Sequence, residues 1–291
     1  MRKIGAVTAT MAQSWLRSIG VASYAWILNA LYSNRGLPWR VHDEVVRIDP
    51  RARHLVPHEP EPTLFAFLKQ TIRPGDIVLD VGAFAGIYAV LAARWSAPTG
   101  RVIAFEPTPS SAALARRHFA FNGLGPGRVQ LVEAAVSDRA GRASLHVYDD
   151  NAMPYVNSLA AAVDTDAPPV MRDVAVVTID DLCREMGIVP SVVRMDVQGA
   201  EMHALRGARH TIRTARRLTL VVEMHPQCWP AFGVTEQSAR QTLDELGLTA
   251  RPLVEGEALF GRDTHAVLCA TVQPSVLDAV ARTPGSPGAL T

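Results

Sequence analysis

The stretch that decides the fold is Ile77–Pro107, with the sequence IVLDVGAFAGIYAVLAARWSAPTGRVIAFEP. An apolar strand leads into the turn 80–86, a helix-like segment follows at 87–95, and a second apolar strand at 102–105 ends at the carboxylate of Glu106. A strand, a glycine turn, a helix and a strand that ends in an acid form the layout that holds an adenosine-bearing cofactor. The acid at the tip of the second strand can accept hydrogen bonds from both ribose hydroxyls.

The glycine spacing separates two kinds of cofactor. A dinucleotide needs G-x-G-x-x-G ahead of the helix, so that backbone amides face the phosphates. Here Phe84 stands between Gly82 and Gly86, and Asp80 precedes the turn, where it would repel a phosphate but can bind an ammonium group. S-adenosylmethionine carries an ammonium, a sulfonium and an adenosine without phosphate. We therefore predict that Asp80, Gly82, Gly86 and Glu106 bind it. An ordinary βαβ unit with incidental acids is the alternative, and two acids at adjacent strand ends disfavour it.

Strands and helices alternate along the rest of the chain, which predicts an α/β fold with a mostly parallel sheet and helices on both faces. The apolar patterns predict strands at 77–81, 101–105, 128–133, 191–196, 218–224, 249–254 and 265–271, an extended stretch at 170–177, and helices at 63–70, 87–95, 110–122, 178–186, 201–214 and 235–247. Ligands bind at the carboxyl ends of such strands. Asp80, Glu106, Asp196 and Glu223 all fall there, so we expect four acids along one rim of the sheet.

Three parts of the chain differ in character. Residues 1–58 are predicted to be an N-terminal extension with a helix and a hairpin at 41–48, and residues 59–273 are predicted to be the main domain. Within that domain, 148–173 shows no sustained period and is interpreted as an irregular insertion, either a substrate-side loop or a disordered surface segment. Residues 274–291 end in a Pro, Gly and Ser tail, which we expect to be disordered.

Composition and charge disfavour several classes of protein. The 291 residues include 29 Lys and Arg against 28 Asp and Glu, a net charge of +1, so no basic field for nucleic acid is present. Cys183, Cys228 and Cys269 are far apart and form no metal or disulfide pattern. They are interpreted as reduced thiols, which predicts a cytoplasmic location.

The N-terminal residues 4–32 are apolar and follow Arg2-Lys3, which imitates a signal peptide. Arg17 interrupts the run, and no small-residue cleavage site follows a compact apolar block. The segment is also too broken to span a membrane. We predict an amphipathic helix that packs on the domain, with weak peripheral membrane contact as the alternative.

Candidate catalytic residues follow two neighbouring strands. Methyl transfer from a sulfonium is an in-line displacement, so the protein must orient a hydroxyl acceptor and remove its proton. Asp196 ends a strand beside the first one and is the first candidate base, although it could instead cap the following helix. Glu223 and His225 end the next strand and are predicted to complete the cluster. Such a cluster could bind a divalent ion, but proton transfer or substrate hydrogen bonding is favoured, and no metal is predicted.

Motifs along about 59–248 resemble the FkbM family of class I methyltransferases. In the family's order they are LDVGAFAG (79–86), GRVIAFEPTP (100–109), FNGL (121–124), EAAVSD (133–138), VTIDDL (177–182), VRMDVQGAEMHALRGA (193–208) and VVEMH (221–225). The resemblance implies a Rossmann-like fold with a seven-stranded sheet. It also implies S-adenosylmethionine-dependent O-methylation of sugars, glycans, glycolipids or polyketide-type metabolites. Two residues depart from it, because the family usually has Asn at Phe84 and Glu at Gln198.

Asn122, Ser137 and Asp138 are assigned to the cofactor side. Asp138 follows the third strand, where related folds contact the adenine ring. A plain turn over 137–141 is the competing interpretation.

Three other functions compete with O-methylation. Methylation of nucleic acid bases typically needs an Asn/Asp-Pro-Pro-aromatic motif where this chain has 196–199, so it is disfavoured. A nicotinamide-dependent reductase lacks its glycine fingerprint. A non-catalytic S-adenosylmethionine-binding protein on a methyltransferase scaffold stays open because of Gln198.

Overall fold

The computed structural model describes residues 23–24, 26–147, 158–159 and 169–270. Its strands are β1 (Leu37–Val41), β2 (Glu44–Ile48), β3 (Ile77–Val81), β4 (Arg101–Phe105), β5 (Val129–Val132), β6 (Ala134–Val136), β7 (Gly141–Val147), β8 (Val170–Val177), β9 (Val192–Met195), β10 (Thr219–Met224), β11 (Leu248–Pro252) and β12 (Thr264–Ala270). Its α-helices are α1 (Pro62–Thr71), α2 (Ile87–Trp95), α3 (Pro109–Phe121), α4 (Ile179–Met186), α5 (Glu201–Arg206), α6 (Arg209–Thr214) and α7 (Glu236–Leu246), and residues 26–32 are also helical.

A seven-stranded sheet forms the centre, in the order β11-β12-β10-β9-β3-β4-β5. The neighbours from β10 to β5 are parallel, and β12 is antiparallel to β10 and β11. The predicted α/β class, with a mostly parallel sheet, is confirmed. The chain moves outward from β3 to β5 and then returns to β9 on the other side of β3. The switch point where ligands bind in such sheets therefore lies at the carboxyl ends of β3 and β9.

Helices cover both faces of this sheet because successive strand residues point to opposite sides. Val78 pairs with Val102, and both belong to one hydrophobic core. Leu79 pairs with Ile103, and both belong to the other core. All four are at most 1% exposed, and burying each such side chain contributes about 1.5–3 kcal/mol. The two cores fix the strand register, and with it the positions of the strand ends.

A three-stranded sheet, β6-β8-β7, lies beside the central one. The sequence patterns predict its longest strand, at 170–177, but not β6 and β7. β6 has only three residues, too few to show a period. Of the predicted insertion 148–173, the structure describes 158–159 and 169–173, and residues 170–173 are part of β8.

The helix predicted over 201–214 is two helices, α5 and α6. The break falls at Gly207, where a Cβ atom would lie 2.1 Å from the carbonyl oxygen of Ser137. The helix is therefore interrupted at Gly207, because the backbone at the end of β6 packs directly against it. The predicted hairpin is present, but it begins at Leu37 because its turn is at 42–43.

The N-terminal predictions are tested only in part. Leu28 is buried, whereas Trp26, Ile27 and Leu31 on the same helical segment are exposed. Predictions for 1–22 and 274–291 lie outside the described residues. Within the described part of the chain, no helix has both the length and the apolar character needed to cross a membrane. Peripheral membrane contact and the cytoplasmic location stay predictions.

Candidate active site

A cavity of about 640 Å³ lies at the switch point of the central sheet. Five segments contribute most of its lining: 54–61, 81–88, 105–108, 134–136 and 194–200. The volume is in the range of sites that bind small molecules and cofactors. The loop ahead of α1 forms one wall, so the N-terminal side of the chain takes part in the site.

The glycine turn is clamped between two strand ends. The N–H of Gly82 donates to the carbonyl of Phe105 at 3.0 Å, and its own φ is +83°. A Cβ atom on Gly82 would lie 1.8 Å from the carbonyl oxygen of Asp196, so no other residue fits there. Gly86, with φ +73°, precedes the first residue of α2. The turn backbone can therefore approach a ligand closely.

Glu106 is held at the rim by the backbone. Its two carboxylate oxygens accept hydrogen bonds from the N–H groups of Phe84 and Thr108, each at 2.8 Å. Burial raises the pKa of Glu106, and these N–H donors oppose that rise. Each carboxylate oxygen has two lone pairs, so the group can still accept ribose hydroxyls.

Asp80 is placed differently from the prediction. It is 1% exposed and is not part of the cavity lining. Its Oδ1 accepts a hydrogen bond from Nη1 of Arg194 at 3.3 Å, and burial raises its pKa. Arg194, rather than Asp80, is a lining residue of the cavity. Asp80 therefore acts on the site through Arg194.

Arg194 is a central residue that the sequence interpretation missed. Besides Asp80, it donates to the carbonyl of Gly82 at 2.9 Å and to Oδ2 of Asp196 at 2.8 Å. Its guanidinium lies 5.0 Å from the centroid of the Tyr88 ring. Burial lowers the pKa of Arg194, but the neighbouring carboxylates outweigh burial and raise it. An arginine inside an apolar strand was the available signal, because a buried charge needs a partner.

Asp196, the first candidate base, lines the cavity. Its Oδ1 accepts a hydrogen bond from the amide nitrogen of Gln198 at 2.9 Å. The same amide nitrogen lies 3.0 Å from Nε2 of His225. Arg194 and Gln198 therefore hold one oxygen each, which fixes the orientation of the carboxylate.

His225 stands behind Asp196 and is bound to a buried acid that the sequence interpretation also missed. Its Nδ1 lies 2.8 Å from Oε1 of Glu201. The same Oε1 also accepts a hydrogen bond from the N–H of Gly199, and Oε2 of Glu201 accepts one from the indole N–H of Trp229. Burial lowers the pKa of His225, but the hydrogen bond and charge of Glu201 outweigh it and raise the pKa to about 9. The Gln198 amide opposes this rise, because donation to Nε2 requires that nitrogen to be unprotonated.

Glu223 lies between two histidines and is not part of the cavity lining. Its carboxylate is 3.7 Å from Nε2 of His225 and 3.5 Å from Nε2 of His265. The His265 ring also lies 2.7 Å from Oε1 of Glu61, a cavity residue. Burial, with the charge of Asp196, raises the pKa of Glu223 to about 7. Of the three predicted catalytic residues, Asp196 alone contacts the cavity.

Two groups of side chains have the spacing of metal ligands. They are Asp196, Glu223 and His225, and Glu61, Glu223 and His265, with ligand atoms within 4.8 Å of one another in each group. In the first group the Gln198 amide hydrogen-bonds both Asp196 and His225. Two of its three ligand atoms are thus engaged by a neutral donor. That no metal is bound stays a prediction.

Three residues predicted on the cofactor side do not line the cavity. The side-chain oxygen of Asn122 accepts from the backbone of Arg47 and from Arg94, so it fastens the hairpin to the domain. Ser137 donates to Asp138 at 3.4 Å, and Asp138 lies 3.5 Å from His203. These contacts are structural, and they favour the turn interpretation for Ser137 and Asp138.

The fold and cavity define a Rossmann-like α/β protein with a cofactor-type site at its switch point. The chain belongs to the methyltransferase FkbM domain family, whose model matches residues 80–248, which confirms the predicted family. It is 29% identical over 158 residues to the 2-O-methyltransferase NoeI of Sinorhizobium fredii (strain NBRC 101917 / NGR234), covering 50% of this chain and 62% of that one. It is 30% identical over 161 residues to the 31-O-demethyl-FK506 methyltransferase FkbM of Streptomyces tacrolimicus, covering 47% of this chain and 60% of that one.

The chain thus spans less than two thirds of the length of each of these curated relatives. A solved structure of a methyltransferase FkbM from Methylobacillus flagellatus KT aligns at 16% identity and a TM-score of 0.42, covering 67% of this chain and 44% of that one.

Proposed function

We propose that this protein is an S-adenosylmethionine-dependent O-methyltransferase that acts on a hydroxyl of a sugar, a glycolipid or a polyketide-type metabolite. The observation that carries the proposal is that Glu106, Gly82 and Asp196 line one cavity. Gly82 joins the two acids, because its N–H donates to the carbonyl of Phe105, the residue before Glu106, and its α-carbon packs against the carbonyl of Asp196. Both of these relatives, NoeI and FkbM, are named as O-methyltransferases, which supports the same reaction here.

The residues of the cofactor half fit S-adenosylmethionine. Glu106 keeps lone pairs for the ribose hydroxyls. Ala135, Val136 and Leu145 add apolar lining that suits an adenine ring. When bound, the cofactor supplies the methyl group and a neutral thioether leaving group. The buried Asp80 would not contact the ammonium group, contrary to the sequence-based expectation, because Arg194 stands between it and the cavity.

Asp196 is assigned as the base that takes the proton of the acceptor hydroxyl. Arg194 and Gln198 each bind one of its oxygens, and each oxygen keeps a second lone pair for the hydroxyl. A positioned base of this kind contributes about 10²–10⁴-fold to the rate. Glu201 and Gln198 hold His225 from both ring nitrogens, so His225 positions the base rather than contacting the acceptor.

Two measurements test the proposal in sequence. Calorimetry should show binding of S-adenosylmethionine and S-adenosylhomocysteine. Methyl-labelled S-adenosylmethionine should then label components of glycan, glycolipid or polyketide extracts, and the Asp196→Asn variant should not label them at a comparable rate. Binding without any transfer would make the chain a binding protein on a methyltransferase scaffold. Absence of binding would refute the proposal altogether.

A further inference from the structure

The helical segment ahead of β1 carries large apolar side chains that the described residues leave exposed. They are Tyr24, Trp26, Ile27 and Leu31, and each is between 47% and 71% exposed. In the described part of the chain, these are four of the nine large hydrophobic side chains with such exposure. Contiguous exposed apolar patches mark sites that contact another protein or a membrane. We call these four residues the N-terminal apolar face.

Helical geometry separates the N-terminal apolar face from the side that packs on the domain. An α-helix turns by about 100° per residue, which places all four residues of the face on one half of the helix. Leu28 and Tyr32 fall on the other half, where Leu28 is buried and Tyr32 is half-buried. The segment therefore already packs on the domain through its other side, and this packing does not cover the N-terminal apolar face.

The end of the segment is fastened to the domain by two arginines. Arg117 of α3 donates to the carbonyl of Ser33 at 3.2 Å. Arg47 of β2 donates to the carbonyls of Arg35 and Gly36, at 3.2 and 3.1 Å. Contacts with both a helix and a strand fix the direction in which the segment leaves the domain. The N-terminal apolar face is therefore held toward solvent.

The charge around the N-terminal apolar face has one sign. Residues 1–42 contain five Lys and Arg and no Asp or Glu, whereas the other 249 residues contain 24 Lys and Arg against 28 Asp and Glu. Arg35 and Arg47 are exposed; Arg35 lies 4.9 Å from the centroid of the Tyr32 ring, and Arg47 donates to backbone carbonyls. Within the described chain, neither forms an ion pair with a carboxylate. The surface beside the face is thus complementary to an anionic partner.

The residue types favour a lipid surface as that partner. Tryptophan and tyrosine are enriched where a bilayer meets water, because their rings have an apolar body and a polar tip. Ile27 and Leu31 can enter the outer part of the acyl layer, and Arg35 and Arg47 can bind lipid phosphates. Nucleic acid would use the arginines but would leave the aliphatic side chains exposed to water. An anionic membrane accommodates both features.

We propose that the N-terminal apolar face docks this protein on the surface of a membrane that contains anionic lipids. The segment then lies in the interface with its apolar side chains toward the acyl chains, and the domain stays in water. This inference concerns where the protein is held and does not depend on the proposed methyl transfer.

Sedimentation of the whole 291-residue chain with lipid vesicles tests the proposal. One set of vesicles contains phosphatidylcholine alone, and the other contains about one third phosphatidylglycerol. An arginine held at an anionic surface contributes about fivefold to binding, so Arg35 and Arg47 together should make binding to the second set at least about tenfold tighter. Raising the ionic strength from about 0.1 M to about 1 M should reduce this preference.

Variants test whether the N-terminal apolar face is responsible. The double variant Ile27→Glu/Leu31→Glu should bind both sets of vesicles at least about tenfold more weakly, because two carboxylates would have to enter an apolar layer. Arg35→Gln should lose about fivefold with anionic vesicles only. Val189→Glu and Arg139→Gln are the matched controls, because both residues are exposed and lie outside the N-terminal segment, and they should bind like the wild type. Thermal melting checks that each variant is folded.

Four results would overturn the inference. They are no sedimentation of the wild type with anionic vesicles, equal binding to neutral and anionic vesicles, undiminished binding by the Ile27→Glu/Leu31→Glu variant, and an equal loss in Val189→Glu. Analytical ultracentrifugation adds a fifth. A wild-type dimer that becomes a monomer in the double variant would make the N-terminal apolar face an interface between two copies of the chain. None of these assays contains a cofactor or an acceptor, so their outcome is separate from that of the proposed function.

Discussion

Replacing Glu106 with alanine tests the cofactor half of the site most directly. The carboxylate is fixed by two N–H donors at 2.8 Å, from Phe84 and Thr108, so under the proposed function it would meet the ribose without reorganisation. Hydrogen bonds to a charged group contribute about 1.5–3 kcal/mol. Loss of the ribose contact should therefore weaken binding of S-adenosylhomocysteine by about one to two decades in Kd. The two N–H groups lose their acceptor as well, which costs about 1–3 kcal/mol in folding stability unless water replaces it.

Calorimetric titration with S-adenosylhomocysteine gives the affinity, and thermal melting shows whether the variant is folded. Asp138→Ala is the matched control, since Asp138 also follows a strand of the chain but does not line the cavity. It should bind the ligand like the wild type. A folded Glu106→Ala protein with unchanged affinity, or equal weakening in both variants, would refute the placement of the ribose at Glu106.

Three further predictions concern Asp196, Gly82 and Glu223. Asp196→Asn should lower kcat by about 10²–10⁴-fold with little change in cofactor affinity, and a near-normal rate would reduce Asp196 to a structural role. Gly82→Ala should destabilise the fold by at least about 3 kcal/mol in chemical denaturation, because its Cβ would meet the Asp196 carbonyl at 1.8 Å. Gly123→Ala, also at positive φ but in open space, should cost only about 1–2 kcal/mol. Glu223 has a pKa of about 7 in the folded protein against 4.5 in the unfolded chain, so its contribution to the free energy of unfolding should fall as pH rises between these values. Glu223→Gln should remove that fall. The stability of the variant relative to wild type should therefore increase by up to about 3 kcal/mol from pH 4 to pH 8, as measured by chemical denaturation.

Local pattern was enough to predict the central sheet. The strand at 77–81 and the helix at 87–95 have the predicted bounds because an apolar run and a glycine turn specify them locally. The break at Gly207 was not predictable from its own helix, since its cause is the carbonyl of Ser137, 70 residues earlier in the chain.

The acceptor half depends on contacts that sequence spacing does not reveal. Arg194 meets Asp80 across 114 residues, and Glu61 meets His265 from the opposite end of the described chain. Asn122 has the residue type expected of a cofactor ligand, yet its amide is used by the hairpin. Polar residues at strand ends therefore predict which edge of the sheet holds the site. Which of their side chains reach the cavity depends on contacts with residues that are distant in the sequence.

The position of Gln198 leads to a prediction that needs no acceptor. Its φ of +50° places the amide between Asp196 and His225, where it donates at 2.9 Å to one and lies 3.0 Å from Nε2 of the other. Gln198→Glu introduces the residue that the family usually has there. The introduced carboxylate would accept a hydrogen bond from a protonated Nε2 instead of opposing its protonation. It would also add a negative charge beside the ring, which favours the imidazolium.

The pKa of His225, already raised to about 9 by Glu201, should therefore rise by about one further unit or more in the Gln198→Glu variant. Nitrogen-detected NMR titration of the imidazole measures it directly. Because a raised pKa stabilises the fold below the unfolded value of 6.5 and loses that effect as pH passes the folded value, the variant should also keep its histidine-linked stability to higher pH. Gln237→Glu, an exposed substitution on α7, controls for the added charge and should leave the titration unchanged. A shift of less than half a unit in Gln198→Glu would mean that the ring is already protonated at Nε2 with the amide oxygen facing it, and that Gln198 does not set the protonation state of His225.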